Sequence, residues 1–487
     1  MAGQRMADHG TVLAPVRAAA GDRHLGQRRH VRLHAAFFPE IGGLDRDQVI
    51  LLARVVPSCA CSKRGAGRNC SAVAGGASGL PGAAFAGNRP AMTPGARLSA
   101  AIELLDAVIA GEPAERALTR WARASRFAGS KDRAAVRDLV FDALRRRRSL
   151  GWLGGGDTGR ALVLALAARD GTEDLFTGAG YDPAPPTPVE RESLARDLAA
   201  APEGIRLDFP DFLGPDLHAA LGEDFEVVLG AMRTRAPVDL RVNTLKTNAD
   251  AATVVLARDG VRVASQPLAG HALRVLENPR LVAASRAYSQ GMVELQDVSS
   301  QYVAESAGAR PGMTVLDFCA GGGGKTLALA AAMQGRGRLM AWDANPRRMA
   351  DLPERARRAG AEARVLSDDE RERLGAVCDL VLVDAPCSGT GAWRRKPEGK
   401  WRLTPEELAG YPPLQDAILD TAAAHVRPGG LLVYATCSLL RSENEERAAA
   451  FAARHPDWAP DGARRLSPID GGDGFFMARF RAPKPRK

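Results

Sequence analysis

The second half of the chain alternates short apolar runs with stretches of helical pattern. The helical stretches include residues 326–333, 346–359 and 415–425. Five apolar runs have the length of strands, namely Val315–Phe318, Leu339–Asp343, Ala363–Leu366, Leu380–Asp384 and Leu431–Thr436. Continuous apolar strands separated by helices are typical of a parallel sheet covered by helices on both faces. The alternation therefore predicts an α/β fold with a Rossmann-like, doubly wound sheet, whose ligand site lies at the carboxyl ends of the strands.

A glycine-rich loop follows the first predicted strand and leads into a helix. Glycines allow the backbone to approach a ligand closely, and the start of the helix offers free N–H groups to an anionic part of that ligand. We therefore assign cofactor binding to the whole loop, which comprises Cys319, Ala320, Gly321, Gly322, Gly323, Gly324 and Lys325.

The loop admits two nucleotide-type interpretations. In a Rossmann-like site, Asp343 at the end of the next predicted strand binds ribose hydroxyls, unless it only caps the turn before Asn345-Pro346. In a P-loop ATPase, the apolar strand that ends at Asp384 corresponds to a Walker B strand. However, Cys319 stands where a P-loop requires its first glycine, which favours the Rossmann-like interpretation.

Two cysteines directly follow predicted strands. Cys387 lies in the segment Asp384–Gly391, and Cys437 lies in the segment Tyr434–Ser438. Because parallel strands present their carboxyl ends at one edge of the sheet, we expect these two sulfurs to converge there. A lone cysteine is more often a small buried hydrophobe, and this is our interpretation of Cys378. No histidine lies near the pair in sequence, so the pattern predicts no metal ion.

Residues 92–230 have a helical pattern and form a predicted all-α domain. One capped amphipathic helix is predicted over residues 130–144, and it runs into four consecutive arginines. A second basic segment, which includes the aromatic residue Trp401, follows the Pro386-Cys387 motif. Such groups suit RNA phosphates and base stacking, which makes RNA-binding candidates of Arg145, Arg146, Arg394, Arg395, Lys396, Lys400 and Trp401. The alternative interpretation of both segments is a solvated surface, including a cationic helix end.

The first 91 residues differ from the rest of the chain. They hold 12 Lys and Arg against 5 Asp and Glu, and so carry +7 of the net charge of +9. We interpret residues 1–91 as a disordered extension, or as an over-long start assignment with Met92 as the true initiator; a basic arm that touches RNA is the alternative. The remaining residues keep a net charge of only +2, so bulk charge does not indicate a nucleic-acid partner.

The motifs resemble the Sun/RsmB family of RNA (cytosine-5)-methyltransferases, which use S-adenosylmethionine. The resemblance spans residues 236–482, with a lead-in over 236–310 and a Rossmann-like catalytic core over 311–482. It rests on the glycine loop, the two cysteine motifs, Leu240–Lys246, Leu295–Gln301, Glu443–Glu445 and Asp473–Phe476. The helical segment is similar to the NusB-like RNA-binding domain of the small-subunit rRNA branch. One departure is that Gly321-Gly322 stand where the family usually has Ala-Pro.

The resemblance implies a role for each catalytic residue. Cys437 is the nucleophile that adds to carbon 6 of the cytosine, and Cys387 assists proton removal and product release. Asp384 holds the polar edge of the base and helps to fix the methyl donor. Lys325 assists in the same pocket.

The resemblance also implies the cofactor and the partner. S-adenosylmethionine would lie along the glycine loop, with Asp343 on its ribose and Asp368 near its adenine, although the adjacent Asp369 is an equal alternative. The partner is RNA, with Arg241 and Asn243 among the contacts, and small-subunit rRNA is the expected substrate. We expect a cytoplasmic monomer without metal or membrane contact, since seven cysteines are too few for a disulfide framework and no apolar run is long enough to span a bilayer.

Two other functions remain as alternatives at this stage. The first is an RNA-binding assembly factor built on an inactive methyltransferase fold, against which the intact cysteine pair argues. The second is methylation of cytosine in DNA, against which the motifs at 241–246 and 296–301 argue.

Overall fold

The computed structural model describes residues 92–484, all of which fall within one compact unit. The predictions made for residues 1–91 lie outside the described residues. Within residues 92–484, no helix is long and apolar enough to cross a membrane. Nine helices precede the first described strand: α1 (Pro94–Ile109), α2 (Ala114–Ala124), α3 (Ser130–Arg145), α4 (Arg147–Gly154), α5 (Gly159–Arg169), α6 (Pro188–Leu194), α7 (Glu203–Arg206), α8 (Gly214–Leu221) and α9 (Phe225–Met232).

Helix α1 shows how local sequence sets these boundaries. The Thr93 hydroxyl accepts a hydrogen bond from the backbone N–H of Ala96 at 3.1 Å, and Pro94 occupies the first turn, where its missing N–H costs nothing. Leu98, Leu105 and their neighbours at helical spacing are buried. They pack with apolar residues of α3 and α5 into one core, so the first five helices form a helical bundle.

The later helices belong to a different core. Apolar side chains between Leu207 and Met232 pack with Trp393, Leu403 and Leu439, which come from the second half of the chain. The predicted 92–230 helical domain therefore contains two packing units. Its last helices are part of the layer that supports the catalytic core.

The predicted lead-in contains a small antiparallel sheet. Its strands are β1 (Asp239–Val242), β2 (Arg262–Ser265), β3 (Ala272–Glu277) and β4 (Val293–Leu295), in the order β2-β3-β1-β4. Three helices accompany them: α10 (Ala249–Arg258), α11 (Arg286–Ser289) and α12 (Val298–Ser306). The sequence pattern did not predict these strands, because each has only three to six residues, too few for a clear period of two.

Seven strands form the main sheet: β5 (Thr314–Asp317), β6 (Arg338–Ala341), β7 (Arg364–Val365), β8 (Cys378–Asp384), β9 (Val426–Thr436), β10 (Ala459–Leu466) and β11 (Phe475–Arg481). Helices alternate with them: α13 (Gly324–Ala332), α14 (Leu352–Ala359), α15 (Asp368–Glu372), α16 (Pro397–Arg402), α17 (Pro405–Ala423) and α18 (Glu445–Arg454). The order is β10-β11-β9-β8-β5-β6-β7. Strands β9, β8, β5, β6 and β7 are parallel to one another. Strand β11 is antiparallel to both of its neighbours, β9 and β10.

The chain enters this sheet at its centre. Strand β5 is followed by β6 and β7 on one side, and the chain then returns to build β8 and β9 on the other. The switch point between β5 and β8 is where such sheets bind ligands. Both faces of the sheet are covered, since Leu380 and Leu382 of β8 join one apolar cluster and Val381 and Val383 join another. This burial explains why the strands are continuously apolar.

The predicted α/β fold class is confirmed, and each of the five predicted strands corresponds to one of β5 to β9. The helix predicted over 346–359 is divided into a 3-10 turn at Pro346–Met349 and helix α14. The helix predicted over 415–425 is longer, since α17 begins at Pro405. The helix predicted over 130–144 is present as α3, and Asp132 accepts the backbone N–H of Gly129 at its start.

Candidate active site

The two cysteines that follow strands lie side by side. Strands β8 and β9 are in register, with Asp384 opposite Ala435, so the loops that follow them leave the sheet at the same edge. The Sγ atoms of Cys387 and Cys437 are 3.4 Å apart, and both residues are half-buried. The expected convergence of these sulfurs is therefore found in the structure. Cys378, at the opposite end of β8, is fully buried, and burial raises its pKa to about 12.

The two sulfurs have unequal surroundings. A hydrogen bond with Cys437, together with burial, raises the pKa of Cys387 well above that of an ordinary thiol. The charge of nearby Glu443 acts in the same direction. Cys387 therefore carries its proton at neutral pH.

A buried carboxylate holds the two cysteine loops together. Glu443 accepts the backbone N–H of Ser388 at 2.8 Å and the Ser388 hydroxyl at 2.5 Å. Its Oε2 atom also accepts the Ser438 hydroxyl at 2.5 Å, and the Gln415 amide donates to Oε1 at 3.2 Å. Ser388 and Ser438 each follow one of the cysteines directly. Glu443 therefore fixes the separation of the sulfurs through their neighbours in the chain.

We expect the Glu443→Gln substitution to loosen this arrangement. The variant loses charge-assisted hydrogen bonds and turns an amide N–H₂ toward hydroxyls that now donate, so the free energy of unfolding should fall by about 1–3 kcal/mol. Displacement of reacting groups by an ångström can cost about a hundredfold in rate, so the rate of any reaction that uses both sulfurs should fall at least tenfold. Chemical denaturation and an activity assay would measure the two effects. The exposed Glu446→Gln variant is the control, and equal rates and stabilities for both variants would contradict the role of Glu443.

Lys325 and Asp384 form an ion pair at the switch point. Lys325 Nζ lies 2.7 Å from Asp384 Oδ2 and 5.0 Å from the centre of the Phe475 ring. Lys325 is buried, whereas Asp384 is half-buried and open toward the edge of the sheet. Nearby, burial raises the pKa of Asp317 to about 7. Asp384, Lys325 and the two cysteines thus lie at the same edge of the sheet.

The glycine loop connects the ends of β5 and β6. The backbone N–H of Gly321 donates to Asp343 Oδ2 at 2.9 Å, and the same oxygen lies 3.1 Å from a nitrogen of Arg348. Gly321 has a φ of +51°, which disfavours the alanine that the resembling family usually has there. Gly323 has a φ of +81°, and a Cβ atom there would lie 2.3 Å from Leu352. The departure from Ala-Pro therefore accompanies a backbone conformation that favours glycine.

The acids at this edge have distinct surroundings. Asp343 is buried; its Oδ1 atom accepts the Asn345 N–H at 2.9 Å, so it bonds the turn as well as the glycine loop. Asp368 accepts the indole N–H of Trp342 at 2.8 Å, which directs its carboxylate toward the end of β6. Asp369 is highly exposed and pairs with Arg373 instead. Of the two adjacent acids, Asp368 is the one that is bonded to the end of β6.

The two basic segments predicted to bind RNA face each other. Arg145 at the end of α3 donates to the carbonyl of Arg394 at 2.8 Å, and Lys400 donates to the carbonyl of Arg145 at 3.1 Å. Trp401 donates its indole N–H to the carbonyl of Leu144 at 2.6 Å. Arg145, Arg394 and Lys400 are buried, and burial lowers the pKa of Lys400 to about 7. These residues join the helical bundle to the catalytic core, so the prediction that Arg145, Arg394 and Lys400 contact RNA is wrong.

The lead-in candidates are also internal. Asn243 is buried, and its amide donates to the carbonyls of Gly291 and Ala359 at 2.8 and 2.7 Å. Arg241 is buried beside Glu294, and burial lowers its pKa to about 10. The prediction of RNA contact is therefore wrong for Arg241 and Asn243 as well. Their family motif has a structural reason, because it ties the small sheet to the main one.

Four of the predicted RNA-binding residues in the basic segments are partly or fully exposed to solvent. Arg146 pairs with Asp142, and Arg395 bridges Asp297 and Asp473 at 2.6 Å each, while Trp401 is half-buried. Lys396 alone of the predicted RNA-binding residues is exposed. Partial burial lowers the pKa of Lys396, and the nearby sulfurs of Cys437 and Cys387 oppose this effect. RNA contact by Lys396, beside the two sulfurs, stays a prediction.

Several site residues were absent from the predicted set. Glu443, Ser388, Ser438 and Gln415 form the hydrogen-bonded support of the cysteine loops. The segment Glu443–Glu445 was noticed only as part of a family pattern. In the sequence this segment is a polar triplet shortly after the Thr436-Cys437 motif. Nothing in the sequence showed that the Glu443 carboxylate is buried between two serines.

Comparisons with known proteins show what this chain is similar to. The family model described as 16S rRNA methyltransferase RsmB/F matches residues 308–481, and the RsmF/B-like ferredoxin-like domain matches residues 209–283. Ribosomal RNA small subunit methyltransferase B of Erwinia tasmaniensis is 36% identical over 285 residues, which are 56% of this chain and 66% of that protein. This chain thus spans just under two thirds of that relative.

Other comparisons extend further along the chain. The protein of the same name from Klebsiella pneumoniae is 30% identical over 395 residues, which are 72% of this chain and 90% of that protein. A solved methyltransferase homolog protein from Pyrococcus horikoshii is 26% identical, with a TM-score of 0.52 over 57% of this chain and 97% of that structure.

Proposed function

Because this chain belongs to the RsmB/F family of 16S rRNA methyltransferases, we propose that it transfers a methyl group from S-adenosylmethionine to carbon 5 of a cytosine in small-subunit rRNA. The observation that carries the cytosine-5 assignment is the pair of sulfurs, 3.4 Å apart, at the ligand-binding edge of the sheet. Carbon 5 of cytosine is too weak a nucleophile to take a methyl group unaided. A cysteine thiolate that adds to carbon 6 is the side chain suited to activate it.

The polar groups at this edge fit S-adenosylmethionine. Asp343 and Asp368 present carboxylate oxygens that would accept hydrogen bonds from the ribose hydroxyls and the adenine amino group. The Oδ1 atom of Asp317 is buried without a hydrogen-bond partner among the described residues, and the cofactor's ammonium group would satisfy it. The loop from Cys319 to Lys325 would border the amino acid end. When bound, S-adenosylmethionine supplies an electrophilic methyl group on a sulfonium sulfur.

Cys437 opens the covalent part of the reaction. Its thiolate adds to carbon 6, and the electron pair of the carbon 5–carbon 6 double bond moves to carbon 5. Asp384, held by Lys325 at 2.7 Å, would accept a hydrogen bond from the polar edge of the base and fix its orientation. Carbon 5 can then take the methyl group.

Cys387 closes the reaction. The raised pKa of Cys387 has the hydrogen bond to Cys437 as its largest cause. When the Cys437 sulfur is bonded to carbon 6, it no longer holds negative charge, and Cys387 can release its proton to solvent water more readily. The Cys387 thiolate then removes the proton from carbon 5, the double bond re-forms, and Cys437 leaves as a thiolate.

The target cytosine must leave its stack to reach both sulfurs. Unpaired or opened RNA is therefore the suitable substrate, because extrusion of a stacked base costs a few kcal/mol. Lys396 is the exposed cation beside the sulfurs and would contact the phosphate of the extruded nucleotide.

Methyl transfer to a defined RNA tests this function. The full chain would be incubated with methyl-labelled S-adenosylmethionine and transcribed 16S rRNA, either free or in assembled small subunits. The RNA would then be digested to nucleosides and analysed by mass spectrometry. We expect label in 5-methylcytidine at a single site, which bisulfite sequencing locates. Label in a different nucleoside, or in cytosine of DNA only, would contradict the proposal.

A further inference from the structure

Helices α2 and α3 are consecutive helices, here called the hairpin, and the start of α2 and the end of α3, here called its base, both contact the catalytic core. At the base, the Ala114 N–H donates to Glu398 at 2.9 Å, and Arg145 donates to the carbonyl of Arg394 at 2.8 Å. An ion pair between Arg137 and Glu115 crosses the hairpin. With a rise of about 1.5 Å per residue, the opposite end of α3 lies about 22 Å from this base.

That opposite end, residues 123–133, is the basic tip of the hairpin. Arg123, Arg126 and Lys131 are exposed, and Arg133 is half-buried. Phe127 lies between them in the chain and is 59% exposed, although large apolar side chains are costly to leave in water. The combination of cations with an exposed aromatic ring is typical of surfaces that bind single-stranded nucleic acid.

The one acid of the basic tip does not neutralise it. The Asp132 carboxylate is buried and accepts the side chain of Arg97 at 2.8 Å and the backbone N–H groups of Gly129 and Met92. The negative charge of Asp132 is therefore paired inside the helical bundle. Residues 123–133 contain four cations and this single acid, whereas residues 92–487 carry a net charge of only +2. Positive charge is thus concentrated at the tip.

The tip also has a concave surface. A depression of about 480 Å³ is lined by Thr119, Ala122, Arg123, Arg126 and Arg133. The Nε atom of Arg133 is buried and has no hydrogen-bond partner among the described residues. A buried donor without an acceptor is costly, and a phosphate oxygen would satisfy it. The depression therefore has the shape and the donors of an anion site.

We propose that the basic tip binds phosphate groups of the substrate RNA away from the target nucleotide, with Phe127 stacked on an unpaired base. This rests on the proposed function, since it takes RNA to be the substrate. At about 3.4 Å per stacked nucleotide, a distance of about 22 Å corresponds to about six nucleotides from the base of the hairpin. The tip anchors the RNA while the cysteine pair acts on the cytosine.

The test compares RNA binding by full-length variants. Arg123→Ala combined with Lys131→Ala removes two exposed cations, and Arg258→Ala combined with Arg310→Ala removes two exposed cations elsewhere as the control. The tip variant should bind a 16S rRNA transcript at least threefold more weakly. The slope of log affinity against log salt should decrease by about 1.4–1.8, as for two lost phosphate contacts. Phe127→Ala should weaken binding without changing that slope, and Phe127→Trp should restore it.

Three outcomes would overturn the proposal. The first is an unchanged RNA affinity and salt slope in the tip variant, and the second is an equal loss in the control variant. The third is a tip variant that loses binding to poly-glutamate but keeps binding to RNA, which would indicate an acidic protein partner. The melting temperatures of all variants would be compared to confirm folding. With saturating RNA, the tip variant should keep the wild-type kcat, because the site of reaction is untouched. RNA binding is measured without methyl transfer, so failure of the tip proposal and failure of the proposed activity are distinguishable.

Discussion

Replacement of Cys437 by alanine is expected to abolish methyl transfer, with a decrease in kcat of about 10⁴-fold or more, as for other enzymes that lose their nucleophile. Without the sulfur, nothing adds to carbon 6, and carbon 5 stays too weak a nucleophile. The remaining contacts, including the Asp384–Lys325 ion pair, leave the cofactor site in place. Transfer of labelled methyl groups to RNA would measure the loss, and isothermal titration should show S-adenosylmethionine affinity within about twofold of the wild type.

The matched control for this variant is Cys378→Ala. That cysteine is buried at the opposite end of β8 from Cys387, so its loss should cost some stability and little activity. Substantial methylation by the Cys437→Ala variant would reject Cys437 as the nucleophile. Loss of cofactor binding together with activity would instead show that Cys437 supports the fold of the site.

Replacement of Cys387 by alanine should stop the reaction at a later step. Cys437 can still add to carbon 6, and the methyl group can still be transferred, but no neighbouring thiolate removes the proton from carbon 5. We expect the variant to remain covalently attached to its RNA. A denaturing gel of the reaction should show a slower, RNase-sensitive band that contains the protein, and turnover should fall by about 10²–10⁴-fold.

The double variant Cys387→Ala, Cys437→Ala serves as the control for the adduct. It should give no shifted band, because the attacking sulfur is absent. Loss of turnover in Cys387→Ala without any adduct would show that Cys387 does not act in release. An adduct that persists in the double variant would place the covalent bond on another residue.

Much of the catalytic core follows from local patterns. The apolar runs that became β5, β6, β8 and β9 are buried on both faces, and such strands leave a continuous hydrophobic signature in the sequence. The two residues of the edge strand β7 are exposed. Polar residues placed directly after these strands were correctly expected at one edge, because parallel strands end together. The small sheet of the lead-in left no such signature, since its strands are short and pair across long separations, as Leu240 does with Leu273 and Leu295.

The predicted RNA contacts failed for a different reason. A run of arginines is compatible with binding phosphates or with bonding to protein carbonyls, and one-dimensional charge does not distinguish the two. In the fold, Arg145 and Lys400 donate to backbone carbonyls across the junction between the bundle and the core, where removal from water is offset by hydrogen bonds. The exposed Arg123, Phe127 and Lys131 were not singled out, because their exposure depends on how α2 and α3 pack.

The class of fold, the ligand edge of the sheet and the placement of Cys387 and Cys437 at that edge were therefore legible in the chain, because each depends on strand burial and on residues next to strand ends. The 3.4 Å separation of the sulfurs, the support from Glu443 and the hydrogen bond between Asp368 and Trp342 arose from packing between segments distant in sequence. The same is true of the division of the cations into buried junction residues and an exposed basic tip. Such features depend on which side chains share a solvent-free space, and only the folded chain defines that space.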